Sequence, residues 1–465
     1  MAHILCITAG LTGITHASFE LVSQLEAAGH RVTYASPWDV RQRVTAQGFA
    51  YVQLPPTQHQ GATDLQVTGR WAKFRKIWTQ WVTASQRRQA AIAALGTDNF
   101  DQILRDIAPD LILCDIELPA HIMAATVLQI PIALLLPFCS IWQRPGLPPL
   151  HHHTVPGQGW QGHRLGIEIA WIGMRWRRWW SIQTQKLRSV GTDKLTVLSA
   201  YAQKIGFPFH PQAERYVCAI ALSFRTVPIL CLNAWELEFP HAPRPLLHYV
   251  GPMVYGSRQE PLVEPDTFAV LNRLFEKRQQ SAGTRALIYF SCSTFAKVHR
   301  EFIQRVVSAA AGQSAWDLVL GLGGQLGPKQ LGELPPNVYA FRWVPQLSVL
   351  EHADCAVTTA GINSLNECIY FGIPVLIYSL GHADQNGNAA RVAYHKLGIV
   401  GDRDRDSAEV IRDRIRALLT DNAYSQPVNR MRDCFQRYRH EHRLIQVVET
   451  LLSARTQVER KENQK

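Results

Sequence analysis

The chain has 465 residues, 46% hydrophobic and 18% charged, which excludes a disordered chain and exceeds one compact core, so two domains are expected. Its 48 basic against 37 acidic residues give a formal charge of +11 and point to acidic partners such as nucleotides, anionic lipid or nucleic acid. Nine cysteines, with no CxxC pair and mostly set in apolar runs such as LILCD, exclude a disulfide frame or a zinc site and fit a reducing compartment.

In chain order, His3 to Thr8 reads as a strand, Ala9 to Gly13 as a glycine loop, and about His16 to Ala28 as a helix closed by Gly29. Arg31 to Ala35 is the next strand, so the opening is half of a Rossmann-like unit. GLTG is a weak dinucleotide fingerprint, and a plain tight turn explains it equally well. The start lacks a basic leader, so no signal peptide is expected, and no run reaches the ~18 apolar residues of a membrane span. Asp39 to Phe49 looks helical, Tyr51 to Leu54 extended, and Pro109 to Asp115 a buried strand ending in a carboxylate. A helix over Pro119 to Leu128 and a strand over Ile130 to Pro137 continue the alternation of a parallel sheet covered on both faces.

Two segments interleave aromatics with basic residues. The first runs from Arg70 through Trp71, Trp78 and Trp81 to Arg88; the second carries Trp160, Trp171, Trp176, Trp179 and Trp180 among Arg164, Arg175, Arg177, Arg178, Lys186 and Arg188. A membrane-surface helix with Trp and Arg at headgroup level fits them. So does a helix that packs its tryptophans inward, while nucleic acid is not expected, because no recognition motif accompanies them. His151-His152-His153 sits in a Pro/Gly/His-rich loop over 143–165, and adjacent histidines do not converge on one metal. Pro228 to Asn233 is a further strand, residues 253–283 lose the pattern and read as a linker, and a second alternating set starts at Ala286. A last helix is expected from about Asn429, with a frayed charged tail.

The chemistry concentrates in Trp343 to Asn388. A uracil or thymine ring stacks on an indole such as Trp343, so UDP and dTDP both fit, and Gln346 can read ring or ribose edges. Gly361, Asn363 and Ser364 stand where a helix begins, the place for a diphosphate. Glu367 has acceptors for two ribose hydroxyls, and Asp384-Gln385 offers a similar grip to a hexose. Singly, Ser364 is as well explained as an N-cap and Trp343 as core.

WVPQLSVLEHAD, TTAGINSLNE, FGIPVL and DQNGNA together resemble the donor signature of the family 1 nucleotide-sugar-dependent glycosyltransferases, the UDP-glycosyltransferases whose bacterial members include macrolide and carotenoid enzymes. HILCITAG, PDLILCD, NAWELEFP with HYVGP, and IYFSCST extend the likeness over the whole chain. The resemblance implies an α/β chain of GT-B fold, two Rossmann-like domains facing across a cleft: an acceptor domain over 1–252, a linker over 253–283, a donor domain over 284–445 and a helix end and tail over 446–465. It implies an inverting, metal-independent transfer of a hexose, glucose by preference, from a UDP-sugar to a hydroxyl of a small lipophilic acceptor, with no cofactor. The protein would be cytoplasmic, peripheral on an anionic membrane face.

By the same resemblance Trp343, Val344 and Gln346 take the base, Glu367 the ribose, Thr294, Thr359, Gly361, Asn363 and Ser364 the diphosphate, and Asp384 and Gln385 the sugar. Two departures stand out: Thr359 replaces a phosphate-loop histidine, and Ile14 stands where the family's catalytic histidine follows the loop glycine. His16, with Asp115 to orient it, is the candidate base in its place. Ser293 replaces a usual glycine, and one residue is added between Pro374 and Asp384. These departures leave two alternatives: an inactive nucleotide-sugar- or lipid-binding subunit, and an epimerase of UDP-N-acetylhexosamine on the same fold.

Overall fold

The protein is described from a computed structural model covering residues 1–57, 82–214, 222–280, 284–292 and 299–462, with side chains of the last helix through 453. Ser293, Thr294 and the first basic-aromatic segment up to Trp81 lie outside the described residues.

Two parallel sheets organise the chain. The first has the order β3-β2-β1-β4-β5-β8-β9, built from β1 His3–Ile7, β2 Arg31–Ser36, β3 Tyr51–Gln53, β4 Leu111–Asp115, β5 Ile132–Leu136, β8 Ile229–Cys231 and β9 Leu247–Tyr249. A two-stranded antiparallel pair, β6 Ala213–Glu214 and β7 Ser223–Phe224, lies beside it. The second sheet has the order β12-β11-β10-β13-β14-β15, from β10 Ala286–Ser291, β11 Trp316–Gly321, β12 Val338–Phe341, β13 Cys355–Thr358, β14 Val375–Ile377 and β15 Gly398–Val400. Runs such as LILCD and CAVT are buried along their whole length because helices cover both faces, which is why they lack the alternation of a half-exposed strand. In each sheet the strand order reverses once, between β1 and β4 and between β10 and β13. Loops at the carboxyl ends of the strands beside that reversal form a crevice suited to ligands.

The segment read as a linker contains a helix of its own, Pro265–Gln280, whose Leu271 and Leu274 are buried. The chain end also differs from expectation. Instead of one helix from Asn429 there are two, Asn422–His440 and Arg443–Glu462. Leu444 and Val448 of the second pack with Ile4, Phe19 and Val22, so the chain returns to the first sheet. Apolar faces on both sides of the short break at 441–442 explain why the sequence pattern ran through it. Gly251, at φ 91°, lies where the chain leaves the first sheet, and a Cβ there would come within 2.4 Å of Tyr438.

The two sheets are also joined by buried polar contacts. Glu238 holds Arg391 through its Nε at 3.1 Å and through Nη2, and both side chains are fully buried. The other Glu238 oxygen accepts from the Ser140 backbone and from Tyr249. Asn366 donates to Asn233 at 2.8 Å.

The second basic-aromatic segment is a 26-residue helix, Arg164–Ser189. Ile167, Trp171, Met174 and Ile182 face inward, with the Trp171 indole donating to the Leu147 carbonyl at 2.7 Å. Leu165, Ile169, Ile172, Trp176, Trp179, Trp180 and Leu187 are exposed on the other side, Trp176 by 63%. Inward packing therefore holds for Trp171 and not for the others.

Candidate functional site

The carboxyl ends of the strands of both sheets border one cleft of about 280 Å³. Trp343, Val344, Gln346, Thr359, Gly361, Asn363, Ser364, Glu367, Asp384 and Gln385 all line it from the second sheet. His16 and Gly13 line it from the first.

Each group is placed by a local cause. Gly324, at φ 76°, lies under the Trp343 ring, where a Cβ would come within 2.3 Å of the indole. Gln346 accepts from Tyr289 at 2.9 Å and donates to Ser364 at 3.4 Å and to Glu367, tying the end of β10 to the next helix. That helix, Ile362–Tyr370, starts after Gly361 without a cap from that residue; the Ile362 N–H is taken by the Asp384 carboxylate, and Gly361, Asn363 and Ser364 line the cleft beside it. Ala360 just before it is held at φ 64°, a conformation that costs a non-glycine residue free energy and is kept here by burial and by Asn388 donating to its carbonyl at 2.9 Å. The Asn363 side chain abuts Gly13 so closely that a Cβ on Gly13 would sit 2.4 Å from its amide.

Glu367 carries a partner the sequence reading did not foresee. Arg258, from the segment read as a linker, donates from Nη1 to Glu367 at 2.6 Å and from Nε to Glu260 at 2.6 Å. A ribose diol on Glu367 would have to exchange with this guanidinium. Gln259 is in turn fastened to Gln47 by two hydrogen bonds of 2.8 and 3.0 Å, so the segment straps across the cleft. Asp384 and Gln385 line the cleft but are also engaged locally: Asp384 accepts from Asn388 at 2.6 Å, and Gln385 accepts from the Leu380 backbone at 3.0 Å. Burial pushes the Asp384 carboxyl up to about 6.

The expected base pair is not assembled. The helix over Thr12–Ala27 starts earlier than expected, and Thr12, His16 and Phe19 share the face turned to the cleft. Burial, then Arg258 and Arg43, hold the His16 imidazole well below its ordinary value, so it is neutral at neutral pH. Among the described residues His16 makes no hydrogen bond; its contact is with the Phe19 ring, centroids 6.0 Å apart. Asp115 is buried and accepts from the Ala9 backbone at 3.0 Å and the Glu117 backbone at 3.1 Å. It thereby satisfies loop N–H groups at the β1–β4 crevice rather than orienting His16, a use of a strand-end carboxylate that the sequence alone does not separate from a catalytic one.

Arg258, Arg43 and Tyr289 are cleft residues that the sequence reading missed, and none stands in a local pattern that signals it. Among the described residues no group of three or more His, Cys, Asp or Glu could hold a metal ion. No helix among them is long and apolar enough to cross a membrane.

Residues 220–437, just under half of the chain, match the family described as UDP-glucoronosyl and UDP-glucosyl transferase. The chain is 25% identical over 461 residues to the oleandomycin glycosyltransferase of Streptomyces antibioticus, covering 98% of this chain and 92% of that one. It is 22% identical over 437 residues to the zeaxanthin glucosyltransferase of Pantoea ananas, covering 92% and 90%. Its structure matches that of the calicheamicin glycosyltransferase CalG4 with a TM-score of 0.63 at 22% identity, over 97% of this chain and 98% of that one.

Proposed function

We propose, for a chain that belongs with the family 1 glycosyltransferases of GT-B fold, that it moves a hexose from a UDP-sugar to the hydroxyl of a small lipophilic acceptor with inversion at the anomeric carbon. The observation that carries this reading is the gathering of ten second-sheet residues, Trp343 to Gln385, around one cleft that the first sheet closes. In this reading the indole of Trp343 stacks on the base, and Glu367 exchanges Arg258 for the ribose hydroxyls. The N–H groups at the start of the helix Ile362–Tyr370, with Asn363, Ser364 and Thr359, hold the diphosphate and stabilise the negative charge that grows as it leaves. Asp384 and Gln385 fix the sugar. The acceptor oxygen attacks from the first-sheet side, its proton goes to a base there, and the phosphate keeps the electron pair of the broken bond. Thr359 offers a neutral donor where the family has an imidazole, which leaves more of that stabilisation to the helix terminus.

The acceptor is proposed to be lipophilic and to come from a membrane face on the cytoplasmic side. Zeaxanthin, named for one relative, is consistent with this. The exposed stripe Leu165, Ile169, Ile172, Trp176, Trp180 on the helix Arg164–Ser189 follows helical spacing, and Arg164, Arg175, Arg177 and Arg188 flank it. Such a face suits insertion at headgroup level of an anionic bilayer.

The test is a panel of nucleotide sugars, UDP- and dTDP-linked, incubated with a membrane lipid extract and analysed by mass spectrometry. A glycosylated lipid with matching nucleoside diphosphate release supports the reading. UDP binding without release from any sugar would favour the inactive subunit, and sugar interconversion without an acceptor the epimerase.

A further inference from the structure

Arg258 is held inside the cleft by contacts from two elements. Its Nε donates to Glu260 and its Nη1 to Glu367, each at 2.6 Å, and its side chain is only 3% exposed. Its neighbour Gln259 is fastened to the Gln47 side chain through both its backbone N–H and its carbonyl. The main chain beside Arg258 is thereby tied to the first domain. The guanidinium, at the end of a long side chain and with five N–H donors in a fork, is free to change partners.

The charges of the cleft say which partner it lacks. Among the described residues its lining holds three carboxylates, Glu260, Glu367 and Asp384, against two guanidinium groups, Arg43 and Arg258. His16 is neutral there, and Thr359 brings a hydroxyl without a charge. A diphosphate adds further negative charge. Its entry is costly unless a guanidinium turns to meet it.

Arg258 is the cation placed to do so. Ser364 and Glu367 stand three residues apart on the helix Ile362–Tyr370, which makes them neighbours on one face, and the Gln346 amide donates to both. A guanidinium on Glu367 therefore lies about one helical turn from the Ser364 hydroxyl, where the diphosphate is proposed to sit. Arg43 is less enclosed: it is half-buried and donates to the Thr12 hydroxyl at 3.3 Å.

We propose that Arg258 exchanges partners when a donor enters: the ribose hydroxyls take its place on Glu367, and its Nη groups pass to the diphosphate while Nε stays on Glu260 as the pivot. The inference rests on the donor-site reading above and adds to it a residue from outside the second sheet. Before the exchange the guanidinium closes the ribose position against ligands that bring no phosphate. After it, the same group supplies the cation that Thr359 does not. One side chain thus makes the two halves of the nucleotide depend on each other, because ribose contact releases the arginine and only phosphate offers it a new anion.

The test is binding, read by calorimetry on the full chain with UDP and uridine, or dTDP and thymidine, whichever pair wild type takes up. The nucleoside displaces the guanidinium without offering it an anion, so Arg258→Gln should bind it more tightly than wild type does. The diphosphate loses a charge-assisted contact in the same variant and should bind more weakly. The ratio of nucleoside to nucleotide dissociation constants should shrink at least tenfold, the lower end for one hydrogen bond to a charged group. Arg258→Lys, which keeps the charge without the fork, should restore part of that ratio. Since Arg258→Gln leaves two buried carboxylates without their cation, Arg258→Gln with Glu260→Gln is measured beside it, and thermal unfolding without nucleotide reports that the variants are folded. A wild-type ratio in the folded variants would overturn the proposal: both ligands bound more tightly would make Arg258 a plain obstruction, both more weakly a cation of the fold alone. A wild type that binds neither UDP nor dTDP would instead overturn the donor-site reading, and this inference with it.

Discussion

Glu367 and Asp384 show how differently two buried carboxylates of one cleft are held. Glu367 sits between Arg258 and Gln346, so its charge is already compensated, and the ribose proposed for it would have to displace the guanidinium. Replacing it by Ala removes a charged acceptor worth about 1.5–3 kcal/mol, so UDP affinity measured by calorimetry should fall about ten- to a hundredfold. Asp384 has a raised pKa of about 6. On the proposed reading, in which Asp384 in its ionised form accepts from two sugar hydroxyls, donor KM should rise as pH falls through about 6, and Asp384→Asn should show a high KM without that pH dependence. That both would line one cleft was legible, because their neighbours in sequence are their neighbours along its wall. Arg258 was not, since it meets Glu367 from 109 positions away within a stretch whose Pro, Gly and charge read as connection. Asp115 is the opposite case: its residue type and position match the family's pattern, and what the structure adds, the N–H groups of Ala9 and Glu117 that it accepts, leaves no mark in the sequence.

At the scale of elements, strand–loop–helix alternation was readable because fully buried strands leave uninterrupted apolar runs between turn signals. The helix Arg164–Ser189 marks the boundary of that reading. Its apolar residues fall on two opposite stripes, one through Ile167, Trp171 and Met174 and one through Ile169, Ile172 and Trp176, and periodicity alone does not say which meets the core. Burial separates them. Sedimentation with phosphatidylglycerol vesicles should therefore pull down the wild type. Trp176→Ser with Trp180→Ser should weaken binding at least tenfold, and Arg177→Glu should weaken it further at low salt. Thermal unfolding of these variants should hardly move, because the replaced side chains are exposed.

For the whole molecule, two sheets with the same reversal of strand order face each other, and buried polar pairs join them beside the cleft. Glu238 and Arg391 belong to opposite halves, and both are fully buried. Arg391→Met would strand the Glu238 charge and is expected to cost about 3–5 kcal/mol, read as a lower urea midpoint. Burial works against the Glu238 charge, and Arg391, foremost among its partners, outweighs it, so the carboxyl is held below its usual value. A depressed carboxylate stabilises the fold above its unfolded pKa and loses that contribution as pH falls through the folded one, so the cost of Arg391→Met should shrink in acid. Glu238→Gln combined with Arg391→Met should recover much of the loss. None of this pairing was legible, because NAWELEFP reads only as a domain junction until the helix Gln385–His395 is laid against it.

The chain passes between its halves twice, once after Gly251 and once around Tyr438, and the two passages touch where the tyrosine ring fills the space of the missing glycine side chain. The Tyr438 hydroxyl is anchored at the same spot, accepting from the Trp235 backbone at 2.9 Å and bonding Glu236 at 2.9 Å. A side chain at 251 would therefore act on both passages at once: the Cβ of Gly251→Ala falls within 2.4 Å of Tyr438, on a backbone held at φ 91° that an L side chain rarely adopts, so the crossing itself would have to loosen.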